Sequence, residues 1–339
     1  MSGNSLSTEQ ASLARRGDGM NWIKTLSVIV VVLGAAIPLF LENQPFLLML
    51  ASHAVIAAIL AVSLDMLTGN TGLLSFGHAG WFGLGAYAAG LLSQTLTTEM
   101  LVLIPLTILI AVTIAWAVGQ ILVRQIGKAF AILTLAFSQV LYALVFVFSD
   151  YTGGEDGLQG VPIPTLAGVQ IADPEVWFWL VYTCLIAVLV GALYLRKTPL
   201  GQAWLGIREN TERSHFIGLN VANLKLLSYM VSAGLAGFAG ALFVLFNGAT
   251  SPELLHWFES GKVLMYVVLG GVGTIVGPAL GAVVFTFAEH YISSHTDAWH
   301  IYFGALFIII VIVAPGGIFG LLKPLVQRSA QQPPKGELT

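Results

Sequence analysis

Charge is what this chain has least of. Only 9% of its 339 residues are Asp, Glu, Lys or Arg, against about 25% in an ordinary soluble domain. A water-facing surface cannot be built from so few charges, and 57% of the residues are hydrophobic. Lipid is therefore the solvent for most of the chain. Cysteine is nearly absent: Cys184, in the apolar run WFWLVYTCLIAVLVGALYL, stands alone. An intrachain disulfide and a thiolate metal site are thereby excluded, and Cys184 reads as a small packing residue. The formal net charge of -3 gives no reason to expect a nucleic-acid partner. Catalytic motifs are missing as well. There is no G-x-x-x-x-G-K-[ST] phosphate loop and no H-E-x-x-H, and no G-x-S-x-G. The seven histidines are scattered. Acids are nearly absent from the apolar runs, which argues against a carrier coupled to protons or ions. The chain reads as a pathway without an engine of its own, not as an enzyme, with no cofactor or metal expected on it.

The apolar runs are long and many. A spanning helix needs about 20 mostly apolar residues. Leu26–Leu41, Phe46–Leu67, Leu73–Leu92, Met100–Val123, Ala129–Ser149, Val176–Leu195, Leu224–Phe246 and Ile301–Leu322 are candidates. One further run, Gly261–Ile292, carries GGVGTIVGPALG near its middle. It is too long and too rich in glycine for one helix. It is expected to be two pieces broken at Gly270–Pro278, a break that survives at membrane depth only when buried in protein or lining a cavity. The fold class is an all-α polytopic membrane protein of about nine or ten membrane segments, including this broken or re-entrant pair near 261–292.

Positive charge sets the orientation. Arg15, Arg16 and Lys24 precede the first span, and Arg124 and Lys128 lie between the fourth and fifth. Arg196, Lys197, Arg208, Arg213 and Lys225 fill the connection after the sixth, and Lys323, Arg328 and Lys335 follow the last. The opposite loops are poor in Lys and Arg, with Lys262 at the edge of the Glu253–Glu259 turn as the exception. Both termini then face the cytoplasm, provided the broken pair returns to its starting side. Residues 1–25 form a cytoplasmic tail, 26–322 a single transmembrane domain with an outer loop at 150–175 and a cytoplasmic loop at 196–223, and 323–339 a second tail. Asp65, near the cytoplasmic end of its run, is expected to be exposed at the interface and cheaply charged there.

The stretch LTGNTGLLSFGHAGWFGLGAYAAG, Leu67–Gly90, holds seven glycines. Without a hydrophobic force between helices in lipid, small residues let backbones approach closely. Gly85–Ala89, Ala86–Gly90, Ala236–Gly240, Gly273–Gly277 and Gly277–Gly281 all have small-xxx-small spacing. Two readings of the stretch stand side by side: tight packing, or a polar lining of the pathway by Asn70, Thr71, Ser75 and His78. Polar groups at membrane depth tend to face a cavity or a pathway. His78 is either a neutral histidine donating to a backbone carbonyl or a substrate contact. The most charged stretch, TPLGQAWLGIRENTERSHFIGLNVANLKLL, is cytoplasmic. Gln202–His215 is expected to form a short helix ended by a glycine break at Gly218, either docking a soluble partner or lying as a solvated loop.

Four separated motifs then resemble one family. SLDMLTGNTGLLSFGHAGWFGLGAYAAG, the stretch from TPLGQAWLGIREN to GALF, VLGGVGTIVGPALGA and APGGIFGLL occur in the order found in LivM-type permeases of the branched-chain amino acid ABC importers. The resemblance runs from about Phe46 to Leu322 and implies an all-helical permease subunit of the bacterial inner membrane. It implies a LivH-type permease partner, two cytoplasmic ATP-binding subunits that use the ATP, and a periplasmic solute-binding protein. By the same resemblance Arg208, Glu209, Asn210 and Gly218 carry coupling to the ATPase. The implied cargo is a branched-chain amino acid or similar small polar solute. The alternatives within the same machinery are urea and short amides, or aromatic and other carboxylates. A self-sufficient carrier or channel needs intramembrane ionisable residues or filter rings, of which the sequence shows few. An intramembrane enzyme needs paired carboxylates, a Ser/His couple or a metal set, and Ser75 and His78 have no acid partner within their segment.

Overall fold

The computed structural model describes residues 44–125 and 127–296, with scattered positions between 298 and 317. The expected first span Leu26–Leu41, both tails, most of the last span and the APGGIFGLL motif lie outside the described residues.

Helix α1, Pro45–Thr71, opens with proline at its first position and stops where Gly72 turns left-handed at φ 75°. Proline has no N–H to leave unpaired at a helix start, and glycine bears that φ without strain. Helix α2, His78–Thr95, starts five residues later than the Leu73 start read from hydropathy. The intervening backbone is irregular because its polar groups are bonded sideways, not along a helix. The Phe76 N–H donates to Thr134 Oγ1 at 3.1 Å and the Gly77 N–H to Ser75 Oγ at 3.2 Å. A Cβ on Gly77 would lie 2.1 Å from the Thr134 carbonyl oxygen. The segment is thus pressed onto α4, Lys128–Val147, where irregular backbone is protected from lipid.

Helices α3, Met100–Leu122, and α4 show apolar outer faces, with Ile121 68% and Ile132 67% exposed. In lipid such a face is the stable one. Helix α5 is Pro174–Lys197, and the connection that follows it holds α6, Pro199–Glu209, and α7, Thr211–Phe216. Helix α8, Val221–Asn247, runs antiparallel to α1: His53 meets Asn247 at one end, and Ser63 meets Ser232 further along. Helices α1 and α8 are the buried centre of the bundle. Helix α2 lies against α8 backbone to backbone. A Cβ on Gly85 would sit 2.1 Å from the Gly237 carbonyl, and one on Gly240 1.9 Å from the Phe82 carbonyl. Close packing therefore accounts for much of the glycine in the 67–90 stretch.

The long run at 261–292 is broken where expected. Helix α9, Trp257–Gly270, and α10, Val276–Ser293, are joined by residues 271–275. Cβ atoms on Gly270 and Gly277 would each strike the other residue's backbone, at 2.0 and 2.4 Å. Among the described residues α1, α3, α4, α5 and α8 are long and apolar enough to cross a membrane. The shorter α2 packs between α8, α3 and α4, while α9 and α10 pack on each other and on α1.

The loop before α5 is tied down by one carboxylate. Strands β1, Thr165–Leu166, and β2, Val169–Gln170, form a small antiparallel hairpin. Glu99 accepts from the Ala167 N–H at 2.6 Å, the Gly168 N–H at 3.1 Å and the Thr165 hydroxyl at 3.0 Å. Slight desolvation raises its pKa, but these donors outweigh it and hold the carboxyl below its ordinary value. A depressed carboxylate stabilises the fold above its unfolded pKa and loses that contribution as pH falls through the folded one. Hydrogen exchange at the Ala167 and Gly168 amides should therefore quicken as pH falls below the ordinary carboxylate range, after correction for intrinsic rate. In Glu99→Gln it should be fast already at neutral pH.

A candidate coupling site on helices α6 and α7

Helix α6 starts on Pro199, with Thr198 Oγ1 accepting from the Gly201 N–H at 3.3 Å. Its period puts Trp204 and Ile207 inside, while Gln202, Arg208 and Glu209 remain exposed. The Trp204 indole N–H donates to the Leu224 carbonyl at 2.8 Å, pinning α6 to the first turn of α8. The single helix expected over Gln202–His215 is in fact two. Asn210 ends α6 in an extended conformation and caps α7, accepting from the Arg213 N–H at 2.8 Å. A short polar side chain that bonds nearby backbone favours caps over helix interiors. Gly218 follows at φ 90°, with open space where a Cβ would stand.

The tip of α7 is apolar and bare: Phe216 is 86% and Ile217 71% exposed. Beside it lies a groove of about 790 Å³ between the end of α3 and the start of α8, lined by Arg124, Glu212, His215, Gly218 and Lys225 among others. Of the four residues assigned to coupling, Glu209 is exposed, Asn210 is a cap, Gly218 is a turn, and Arg208, exposed as a residue, sends its guanidinium to the Gly69 carbonyl. Phe216 and Ile217 went unremarked in the sequence because two apolar residues in a charged stretch carry no periodic signal.

Arg208 leads to the part of the structure that hydropathy misread. Its Nη1 donates to the Gly69 carbonyl near the end of α1. Asp65, one turn earlier on α1, is not exposed at the interface: it is 1% accessible. Its carboxylate accepts from the Gly273 N–H at 2.6 Å and the Ile275 N–H at 3.0 Å. The break between α9 and α10 folds over the end of α1 and covers it. Arg196, at the end of α5, donates to the Gly273 carbonyl at 2.5 Å. Both guanidiniums also act electrostatically on the Asp65 carboxylate, which a buried charge requires. Ile275 holds φ at 64°, a left-handed conformation that costs a β-branched residue of order 1–3 kcal/mol and persists only where neighbours enforce it. The Asp65 bond to its N–H is one such neighbour. Ends of α1, α5 and α6 are thereby tied to one five-residue break.

The four residues proposed to line the pathway do not gather at one cavity. Thr71 Oγ1 donates to the Leu67 carbonyl at 2.7 Å, and Ser75 Oγ caps the Gly77 N–H. Asn70 and His78 differ: Asn70 Oδ1 and His78 Nδ1 are buried without a partner among the described residues. The hollow of about 580 Å³ beside this segment is lined instead by Leu73, Leu74, Phe76 and Lys128 among others. His78 stands beside the Ser63 backbone carbonyl, with Ser232 Oγ in contact with both. Ser232 Oγ donates to the Ser63 carbonyl at 2.5 Å, so His78 Nε2, 2.8 Å from that hydroxyl, must be the donor. Nδ1 is then the bare nitrogen. Ser232 lies eleven residues into α8, about 16 Å from its start at 1.5 Å per residue. Helix α2 thus begins at membrane depth.

The profile of the branched-chain amino acid transport system / permease component family matches residues 46–314. The chain belongs to this family. It is 29% identical over 311 residues to the high-affinity branched-chain amino acid transport system permease protein LivM of Salmonella typhimurium LT2, covering 85% of this chain and 73% of the relative. LivM of Escherichia coli K12 is 28% identical over 324 residues, covering 89% and 76%. LivH of Salmonella typhimurium LT2 is 24% identical over 294 residues, covering 80% and 92%. No solved structure matches. The permease is a multi-pass helical membrane protein of the transporter class, and the sequence resemblance to LivM-type chains holds over most of its length.

The buried carboxylate gives the permease its most direct test. Asp65→Asn keeps one acceptor but sets an amide N–H₂ against the second backbone N–H and leaves two guanidiniums without their anion. Thermal unfolding of the detergent-purified permease should report a loss of about 3 kcal/mol, and Asp65→Glu should recover only part of it.

Proposed function

We propose that the permease is the LivM-type subunit of an ATP-driven importer for branched-chain amino acids. It pairs with a LivH-type permease, takes solute from a periplasmic binding protein on the side of the 150–175 loop, and is driven by two cytoplasmic ATP-binding subunits. Residues 26–322 form its single transmembrane domain, and both tails lie in the cytoplasm. The chain hydrolyses nothing itself and carries no cofactor.

The observation that carries this reading is the tie between α6 and the interior. A docking element is useful only if its motion reaches the pathway. An ATPase pressing on α7, through Phe216, Ile217 and the groove beside them, pushes on α6 across the Asn210 cap. Helix α6 grips Gly69 through Arg208, and the same end of α1 holds the α9–α10 break through Asp65. Closely packed small-residue contacts transmit such a push as rigid-body motion. Asn70 and His78, the two residues of the polar segment with free buried acceptors, lie on either side of the irregular backbone that this motion would re-aim. Thr71 and Ser75 hold that backbone.

Uptake into sealed vesicles carrying all partner subunits tests the proposal. Labelled leucine delivered with its binding protein should accumulate only with ATP, and isoleucine and valine should compete. Accumulation of urea or benzoate but not leucine would replace the cargo and keep the machine. In Gly218→Val the backbone must leave φ 90° or bear about 1–2 kcal/mol of strain. That variant should stay in the membrane and lose most ATP-driven uptake, whereas wild-type uptake would remove Gly218 from coupling.

A further inference from the structure

Glu259, Lys262 and Glu289 form a partly buried charged cluster, with side chains 16–29% exposed. Lys262 Nζ lies 3.1 Å from Glu259 Oε1 on its own helix and 3.1 Å from Glu289 Oε1 on α10. Their place in the sequence predicts that Glu259 and Lys262 lie at the edge of an outer turn. They instead sit in the first turns of α9, which packs against the start of α2: Ser260 Oγ accepts from the Ala79 N–H at 3.1 Å, next to His78. Glu289 stands thirteen residues into α10, about 20 Å beyond the break at 1.5 Å per residue.

Two cavities meet at this cluster. An inner one of about 270 Å³ lies among α1, α2, α8, α9 and α10 and is walled by Ile56, Leu60, Phe82 and Phe243. An outer one of about 490 Å³ is lined by Tyr142, Glu253, His256 and Trp257. Glu259, Lys262 and Glu289 line both. His53 also borders the inner cavity, but its two ring nitrogens are taken up by the Met49 carbonyl and Asn247 Oδ1. Two carboxylates share one ammonium, so one negative charge is left without a formal partner in the cluster. As a purely structural feature this is a poor device, because a desolvated ion pair rarely stabilises more than apolar packing of the same volume. Charged residues at membrane depth tend to mark a solute path.

We propose that this cluster is the point where the permease binds a zwitterionic solute passing from the outer to the inner cavity. The carboxylates of Glu259 and Glu289 receive the solute's ammonium, Lys262 turns to its carboxylate, and the apolar wall of the inner cavity takes a short aliphatic side chain. This rests on the proposed amino-acid cargo and assigns the residues that recognise it.

The test uses the complete importer in proteoliposomes, with labelled leucine, its binding protein and ATP, and reads uptake and ATP hydrolysis separately. Glu289→Gln and Lys262→Met should each lower leucine uptake at least about tenfold while hydrolysis stimulated by the loaded binding protein persists. Ala57→Leu, whose side chain projects into the inner cavity, should do the same without touching a charge, and serves if a charge variant fails to assemble. Uptake unchanged in all three would overturn the site, as would uptake and hydrolysis falling in proportion. Wild-type uptake of urea or benzoate but not leucine would overturn the site and leave the importer standing. No ATP-driven uptake of any solute would overturn both.

Discussion

The structure turns on a carboxylate buried where α1 ends. Asp65 is 1% accessible, so its carboxylate is met by two backbone N–H groups, with two guanidiniums nearby. Those N–H groups belong to the break between α9 and α10, and the guanidiniums come from α5 and α6. A buried anion of this kind is costly when any partner leaves, so the four elements are held in one arrangement. The same demand fixes Ile275 in a backbone conformation that isoleucine otherwise avoids. The helix break, the end of α1 and helix α6 thus form one unit, although more than 200 residues separate Asp65 from Gly273 in sequence.

Around that unit the bundle is assembled by close approach. Lipid offers no hydrophobic reward for bringing two apolar helices together, so contact must come from shape. Glycines on α2 and α8, and on α9 and α10, let backbones meet where any Cβ would collide. Such seams are flat and weakly interdigitated, which suits elements that must shift as rigid bodies. Irregular backbone at 72–77 and 271–275 is tolerated because side chains, not lipid, satisfy it.

Much of this was legible in the sequence. Scarce charge and long apolar runs gave the helical membrane class, and glycine with proline at 270–278 marked the helix break within a few residues. Four ordered motifs pointed to the family that the profile match bears out. The failures share a cause. Hydropathy along the chain sees composition and not long-range contact. Leu73–Gly77 is apolar enough for a helix, yet its N–H groups are claimed by side chains, one of them from α4. Asp65 lies near an apparent helix end, yet a hairpin over 200 residues later covers it. Glu259 and Lys262 stand next to a turn, yet the chain dips inward there and meets Glu289 from another helix. Asn210, a strong capping residue between two short helical patterns, was the one local signal available and overlooked.

The central claim is that α6 and the α9–α10 break move as one body. Spin labels at the exposed Gln202 on α6 and at Val272 in the break would measure it in the assembled importer, with and without ATP held in the partner subunits. The Gln202–Val272 distance should stay the same in both states, while the distance from Gln202 to a label at Ile132 on α4 changes. A Gln202–Val272 distance that shifts with nucleotide would contradict the account.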